Sequence, residues 1–304
     1  MTGPPSREDI AVAADLIAPR IRRTPVLEMP GGIVLKLELL QVSGTFKARG
    51  AYHLLMSSEV PAAGVVAASG GNFGLAIAYA ARDLGHHATV FVPETAPSAK
   101  ADRLRALGAE VVMIGTRYEQ ALAASIAHGD DSGALFAHAY DQPAVVSGAG
   151  TCALEIADQV PDVDTVLVAV GGGGLIGGVA SWFRGGVRVV AVETESTPTL
   201  HSALVAGVPV DVEVSGVAAS ALGATRIGSI GFAAARQWVD RSLLVHDDDV
   251  VRAQRWLWDE ARLVSEPGGA TALAALLSGA YRPEDGERVV ALVCGANVDP
   301  ASIT

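Results

Sequence analysis

The chain has 304 residues, half of them apolar and 18% charged, which excludes a disordered polymer and leaves room for two packed domains. Its formal net charge of −11 argues against a phosphate backbone as partner, so nucleic-acid binding is set aside. Cys152 and Cys294 are too few for a disulfide scaffold and form no C-x-x-C or Cys/His zinc cluster, which suits a reducing cytoplasm.

The opening MTGPPSREDI lacks the basic-then-apolar pattern of a secretion signal. Strands are predicted at residues 33–38 (IVLKLE), 64–69 (GVVAAS), 88–92 (ATVFV), 110–114 (EVVMI), 165–170 (TVLVAV), 187–193 (VRVVAVE) and 288–294 (RVVALVC). Helical patterns lie between them, notably at 74–84, 98–107, 144–159 and 248–263. This alternation predicts an α/β fold with mostly parallel sheets covered on both faces. Uncharged stretches at 62–81 and 165–183 approach membrane-spanning length, but glycine runs break both, so each reads as a buried strand followed by a helix. Residues 36–142 carry their own strand and helix alternation and end at the loop-like HAYDQP. They are read as a small domain inserted into a larger one made of 1–35 and 143–304, with ligand chemistry at the junction.

Four segments could carry that chemistry. In SGTFKARGA, residues 43–51, Lys47 would start a helix, where an ammonium gains nothing from the helix dipole; an imine-forming amine or an ordinary exposed lysine are the two readings. ASGGNFG, residues 68–74, sits between a strand and a helix. It suits either carboxylate binding by bare backbone amides and Asn72, or a turn that needs glycine for steric reasons. VGGGGLIGG, residues 170–178, exposes a nest of N–H donors that fits a phosphate. Its Gly172, Gly174 and Gly177 also match G-x-G-x-x-G, with Glu193 placed as a ribose-binding acid, so an NAD-dependent oxidoreductase is the rival reading of this stretch. ALVCGAN, residues 291–297, ends a strand in Cys294, which lacks a basic partner and reads as a core thiol. The seven histidines show no metal-ligand spacing.

Taken in order, these four segments resemble the serine/threonine dehydratase (ammonia-lyase) family of fold type II pyridoxal 5′-phosphate enzymes, the tryptophan synthase beta-like superfamily. The likeness runs from Arg22 in RRTPV to Asp299 in NVD. It implies two doubly wound domains and an L-serine/L-threonine-type lyase that eliminates water from a small β-hydroxy amino acid, leaving a 2-oxo acid and ammonia. By the same resemblance Lys47 holds the cofactor as an imine and removes the α-proton, with Phe46 beside it. Asn72 meets the cofactor's phenolic oxygen, and Ser69, Gly70, Gly71 and Asn72 bind the substrate carboxylate. Gly171, Gly172, Gly173 and Gly174 grip the phosphate, which protonates the departing hydroxide, and Leu175 also touches the cofactor. Glu266, in SEPGG, lies near the ring, and Cys294 faces the pyridine nitrogen.

Racemases of the family place a serine where this chain has Gly70, which disfavours a two-base racemase, and Phe73 replaces a histidine or small residue. The family's cation site maps onto Glu193, Thr197 and Thr199. With Thr199 where an aspartate selects a divalent ion, K⁺ is expected rather than Mg²⁺. A homodimer acting on a small-molecule substrate follows from the resemblance. A β-replacement enzyme such as a cysteine or threonine synthase is the rival within the fold, and a non-catalytic amino-acid-binding module is a third class.

Overall fold

Charge-free runs of Val, Ala and Leu become strands buried on both faces, because a strand sandwiched between helices has no polar side to present. The computed structural model describes residues 3–303. Among them the strands, in chain order, are β1 (Val26–Glu28), β2 (Ile33–Lys36), β3 (Val65–Ala68), β4 (Ala88–Val92), β5 (Glu110–Met113), β6 (Leu135–Ala137), β7 (Thr165–Ala169), β8 (Arg188–Thr194), β9 (Val239–Val245) and β10 (Val289–Leu292). Strands β3, β4, β7 and β10 are buried at every position.

The larger sheet has the order β1-β2-β10-β7-β8-β9 and the smaller β5-β4-β3-β6. Every pairing is parallel except β1 with β2. All four strands of the smaller sheet fall between β2 and β7 of the larger. The predicted strand at 33–38 stops at Lys36, and Glu38 lies instead in a short 3₁₀ turn with its carboxylate buried against Arg49.

The helices are α1 (Arg7–Ile17), α2 (Lys47–Ser57), α3 (Asn72–Leu84), α4 (Ser98–Ala106), α5 (Tyr118–Ser132), α6 (Pro143–Gln159), α7 (Gly174–Phe183), α8 (Thr199–Ala206), α9 (Ala219–Leu222), α10 (Ser229–Trp238), α11 (Asp247–Ala261) and α12 (Pro267–Ser278). The apolar residues of α2, α3 and α4 share a core with one face of the smaller sheet, and α5 covers the other. Helices α6, α7 and α10 cover one face of the larger sheet, and α11 and α12 the other. No described helix is long and apolar enough to cross a membrane.

Glycines set the closest helix contacts. A Cβ added at Gly148 of α6 would stand 2.6 Å from the Arg49 carbonyl oxygen of α2, and one at Gly178 of α7 would stand 2.5 Å from the Gly150 nitrogen of α6. Both distances are impossible for a real side chain, so α2 and α7 rest on α6 backbone to backbone.

Candidate active site

Lys47 is the first residue of α2, which lacks a side-chain N-cap. Protein atoms packed around its ammonium disfavour the charged form and push its pKa down to about 8, although Cys294 and Glu266 work in the opposite sense. Its Nζ donates to the Ala139 carbonyl at 2.9 Å and lies 5.1 Å from the Phe46 ring centroid and 5.8 Å from that of Phe73. A depressed amine among aromatic rings and a neutral carbonyl is poised to be a nucleophile and a base. The exposed-lysine reading therefore falls.

The strand-to-helix turns bring the other candidates to it. Ser69, Gly70, Gly71 and Asn72 lead from β3 into α3, where the first helical amides have no intrahelical partner and can receive a carboxylate. The tetraglycine segment leads from β7 into α7 in the same way. The Tyr140 ring lies where a side chain at Gly172 would go, its nearest atom 2.2 Å from a Cβ built there, and Gly173 has φ +94°. These glycines leave a concave run of amides that no residue with a Cβ could form, and it fits a phosphate. Gly171, Gly172, Gly173, Gly174 and Leu175 line a pocket together with Phe46, Lys47, Asn72, Glu266 and Cys294. The N–H cradle, the Lys47 amine and the side chains of Asn72, Glu266 and Cys294 thus surround one space, as a phosphorylated aldehyde cofactor requires.

Burial favours the neutral form of two acids that line this pocket. Burial drives the Cys294 thiol well above the ordinary thiol range, with Glu266 adding to the shift, and its Sγ lies 3.4 Å from the Gly268 carbonyl. Burial also raises Glu266 to about 7, opposed by a hydrogen bond from the Asn72 side chain at 2.5 Å. A neutral thiol offers no charge to hold a pyridinium proton.

The adjoining cleft, a cavity of about 260 Å³, joins Lys47 and the Ser69–Asn72 turn to Tyr118 and Glu119 of α5, Tyr140, and the segment 219–225. Those outer residues escaped sequence reasoning. Tyr140 stood in the HAYDQP loop as a domain boundary signal, whereas 219–225 carries no motif.

Glu193, Thr197 and Thr199 sit at the head of α8 and line neither the pocket nor the cleft. The Glu193 carboxylate accepts the Leu200 and His201 amides, each at 2.7 Å, while burial raises it to about 8. Thr197 Oγ1 pairs with Thr194 Oγ1 at 2.9 Å, and Thr199 Oγ1 donates to the Ala224 carbonyl at 2.7 Å. A glutamate turned into a helix N-terminus and fully buried does not reach a ribose beside the glycine loop, which overturns the nicotinamide reading.

The family model described as pyridoxal-phosphate dependent enzyme matches residues 17–295. The chain belongs to that family. It is 36% identical to the L-threonine ammonia-lyase of Geobacter sulfurreducens over 97% of this chain and 76% of that protein. The solved structure of a T.th. threonine deaminase superposes with a TM-score of 0.91 at 34% identity, covering 97% of this chain and 99% of that one. Maize serine racemase gives a TM-score of 0.93 at 28% identity, covering 100% and 96% of the two chains. This protein is thus a fold type II pyridoxal-phosphate enzyme, and the residues lining the pocket between the tetraglycine cradle and Lys47 fit that cofactor.

Proposed function

We propose that this protein is a serine/threonine-type ammonia-lyase, eliminating water from a small β-hydroxy amino acid to give a 2-oxo acid and ammonia. Bound pyridoxal phosphate supplies the electron sink that makes an amino-acid α-proton removable. The protein's own part is positional. The amides and hydroxyl of Ser69–Asn72 hold the substrate carboxylate, and Lys47, released as a neutral amine, takes the α-proton. Cys294, kept neutral by burial, would offer a pyridine nitrogen no charged partner, which would favour elimination over reactions that need a long-lived carbanion. The observation that carries the reading is that the cleft is lined by the Lys47 amine and by Gly70, which has no hydroxyl at the position where racemases of the family place a serine.

The cleft also supports a substrate class. Lys47 is the sole cation among its lining residues, and Glu119 places a carboxylate at the outer wall. That arrangement suits serine, threonine or another neutral β-substituent and opposes 3-hydroxyaspartate. The names of the threonine-acting relatives point the same way. We further place the protein in the cytoplasm as a homodimer, with both buried cysteines reduced.

A panel of L-serine, L-threonine, phenylserine and 3-hydroxyaspartate, assayed for 2-oxo acid, ammonia and the opposite enantiomer, tests the reading. Threonine or serine is expected to yield oxo acid and ammonia in equal amounts, with loss of at least about 10³-fold in Lys47→Ala. Recovery of the D-amino acid as main product, or of a β-substituted amino acid when a thiol is added, would replace it with racemase or β-replacement chemistry.

A further inference from the structure

Asn297 follows the last strand, and its side chain ties together four segments that are distant in sequence. Its Nδ2 donates to the Ser43 carbonyl at 3.0 Å, in the turn that leads to Lys47, and to Asn72 Oδ1 at 2.8 Å, at the head of α3. Its Oδ1 accepts from Arg103 Nη2 at 2.7 Å, on α4 of the smaller sheet. An asparagine amide has two N–H donors and one carbonyl acceptor, and here all are engaged in one sense. The guanidinium can only donate and the Ser43 carbonyl can only accept, so the Asn297 amide cannot turn over without setting donor against donor and acceptor against acceptor.

That orientation passes to the next residue. Because Asn297 offers an N–H, Asn72 must present its oxygen to it, and its own Nδ2 is directed into the cofactor pocket, where Glu266 Oε1 accepts it at 2.5 Å. Were the Asn72 amide reversed, a carbonyl would face both Glu266 and the cofactor ring, and the pocket would lose its donor.

We infer that Asn297, steadied by Arg103 from the smaller sheet, is a positioning residue that fixes the Asn72 side chain as a hydrogen-bond donor toward the cofactor ring. The arrangement couples the seating of α4 against the last strand to the electronic environment of the cofactor. It requires cofactor bound at Lys47 and is independent of which reaction follows.

The test uses the purified holoenzyme and reads the visible absorption band of the bound cofactor across pH, with kcat and KM measured in parallel. Asn297→Ala is expected to move the midpoint of the band's pH titration by at least about half a unit. It should also lower kcat about tenfold or more while KM changes less than about threefold. Asn72→Ala should shift the band in the same sense, and Asn297→Ala added to Asn72→Ala should shift it no further, since the effect runs through Asn72. An unchanged band in Asn297→Ala, or a further shift of the same size in the double variant, overturns the inference. If Asn297→Ala does not fold, Arg103→Ala at its exposed position decides: a smaller shift of the same sign supports the inference, and an unmoved band sinks it. A failed lyase assay leaves this spectral readout intact, so the two readings fall separately.

Discussion

Lys47 and Arg49 are two residues apart on α2, and at about 100° of helical turn per residue they face nearly opposite ways. Arg49 points into a buried ionic cluster. Its Nε and Nη2 reach both oxygens of Glu38 at 2.7 Å, and its Nη1 reaches Glu155 at 2.8 Å and Thr151 at 3.1 Å. Lys36 completes the cluster with Glu155 at 2.6 Å, the Thr24 carbonyl at 2.7 Å and Gln159 at 2.8 Å. Burial alone would raise the Glu38 carboxyl, but Arg49, with Lys36 and Thr24, outweighs it and holds the group below the ordinary carboxylate range. Lys47, by contrast, is given a neutral carbonyl and two aromatic rings, and its pKa falls to about 8. Both cations leave water; what separates an inert anchor from a reactive amine is whether a carboxylate closes the contact.

The sharpest way to break this contrast is to remove the anchor. Arg49→Met leaves two buried carboxylates short of a partner and is expected to cost about 3–5 kcal/mol, measured by urea unfolding of the apoprotein. Lys47→Met, which deletes a desolvated amine with no bonded carboxylate, should leave apoprotein stability within about 1 kcal/mol of the parent. Equal losses in the two variants would erase the distinction.

A second effect concerns Glu266. Its folded pKa lies near 7 against an ordinary value of 4.5, because burial favours the neutral form. The folded state therefore keeps a proton that the unfolded chain has lost, and stability falls as pH rises from about 4.5 to about 7. Glu266→Gln removes that decline, so the variant should gain up to about 3 kcal/mol on the parent between pH 4 and pH 8. Parallel stability-versus-pH curves for the two apoproteins would contradict it.

The smallest effect belongs to the strand-end acid. Glu193 already receives two α8 amides, so adding K⁺ or Mg²⁺ to chelator-treated protein should raise the melting temperature by less than about 2 °C. A larger rise with K⁺ would favour the cation reading of Glu193, Thr197 and Thr199.

Local features were legible in the chain. The β4 run ATVFV and the helix from Ser98 announce themselves by pattern, and glycine clusters mark the two strand-to-helix turns of the site because few other sequences tolerate such geometry. Strand β9 was hidden: Asp240 and Arg241 interrupt VDRSLLV at the sheet edge, so no apolar run appears. Glu193 misled for a related reason. Its place at a strand end is visible, but the direction of its carboxylate depends on α8, which folds back onto it. The contacts of Asn297 with Ser43, Asn72 and Arg103 bridge up to 254 positions, beyond any local pattern.

The glycine contacts of α6 bear on how such an enzyme can change. Lys47 rides on α2 and the phosphate cradle on α7, and both helices rest directly on α6 through Gly148 and Gly178. The distance between the N-termini of α2 and α7 is therefore set by peptide planes that meet on α6. Tyr118 and Glu119 of α5, at the outer wall of the cleft, lie off this mounting, whereas Ala221 and Leu222 of the segment 219–225 also line the pocket of the glycine cradle. Mutation can accordingly reshape which molecule is admitted while the coenzyme keeps its seat.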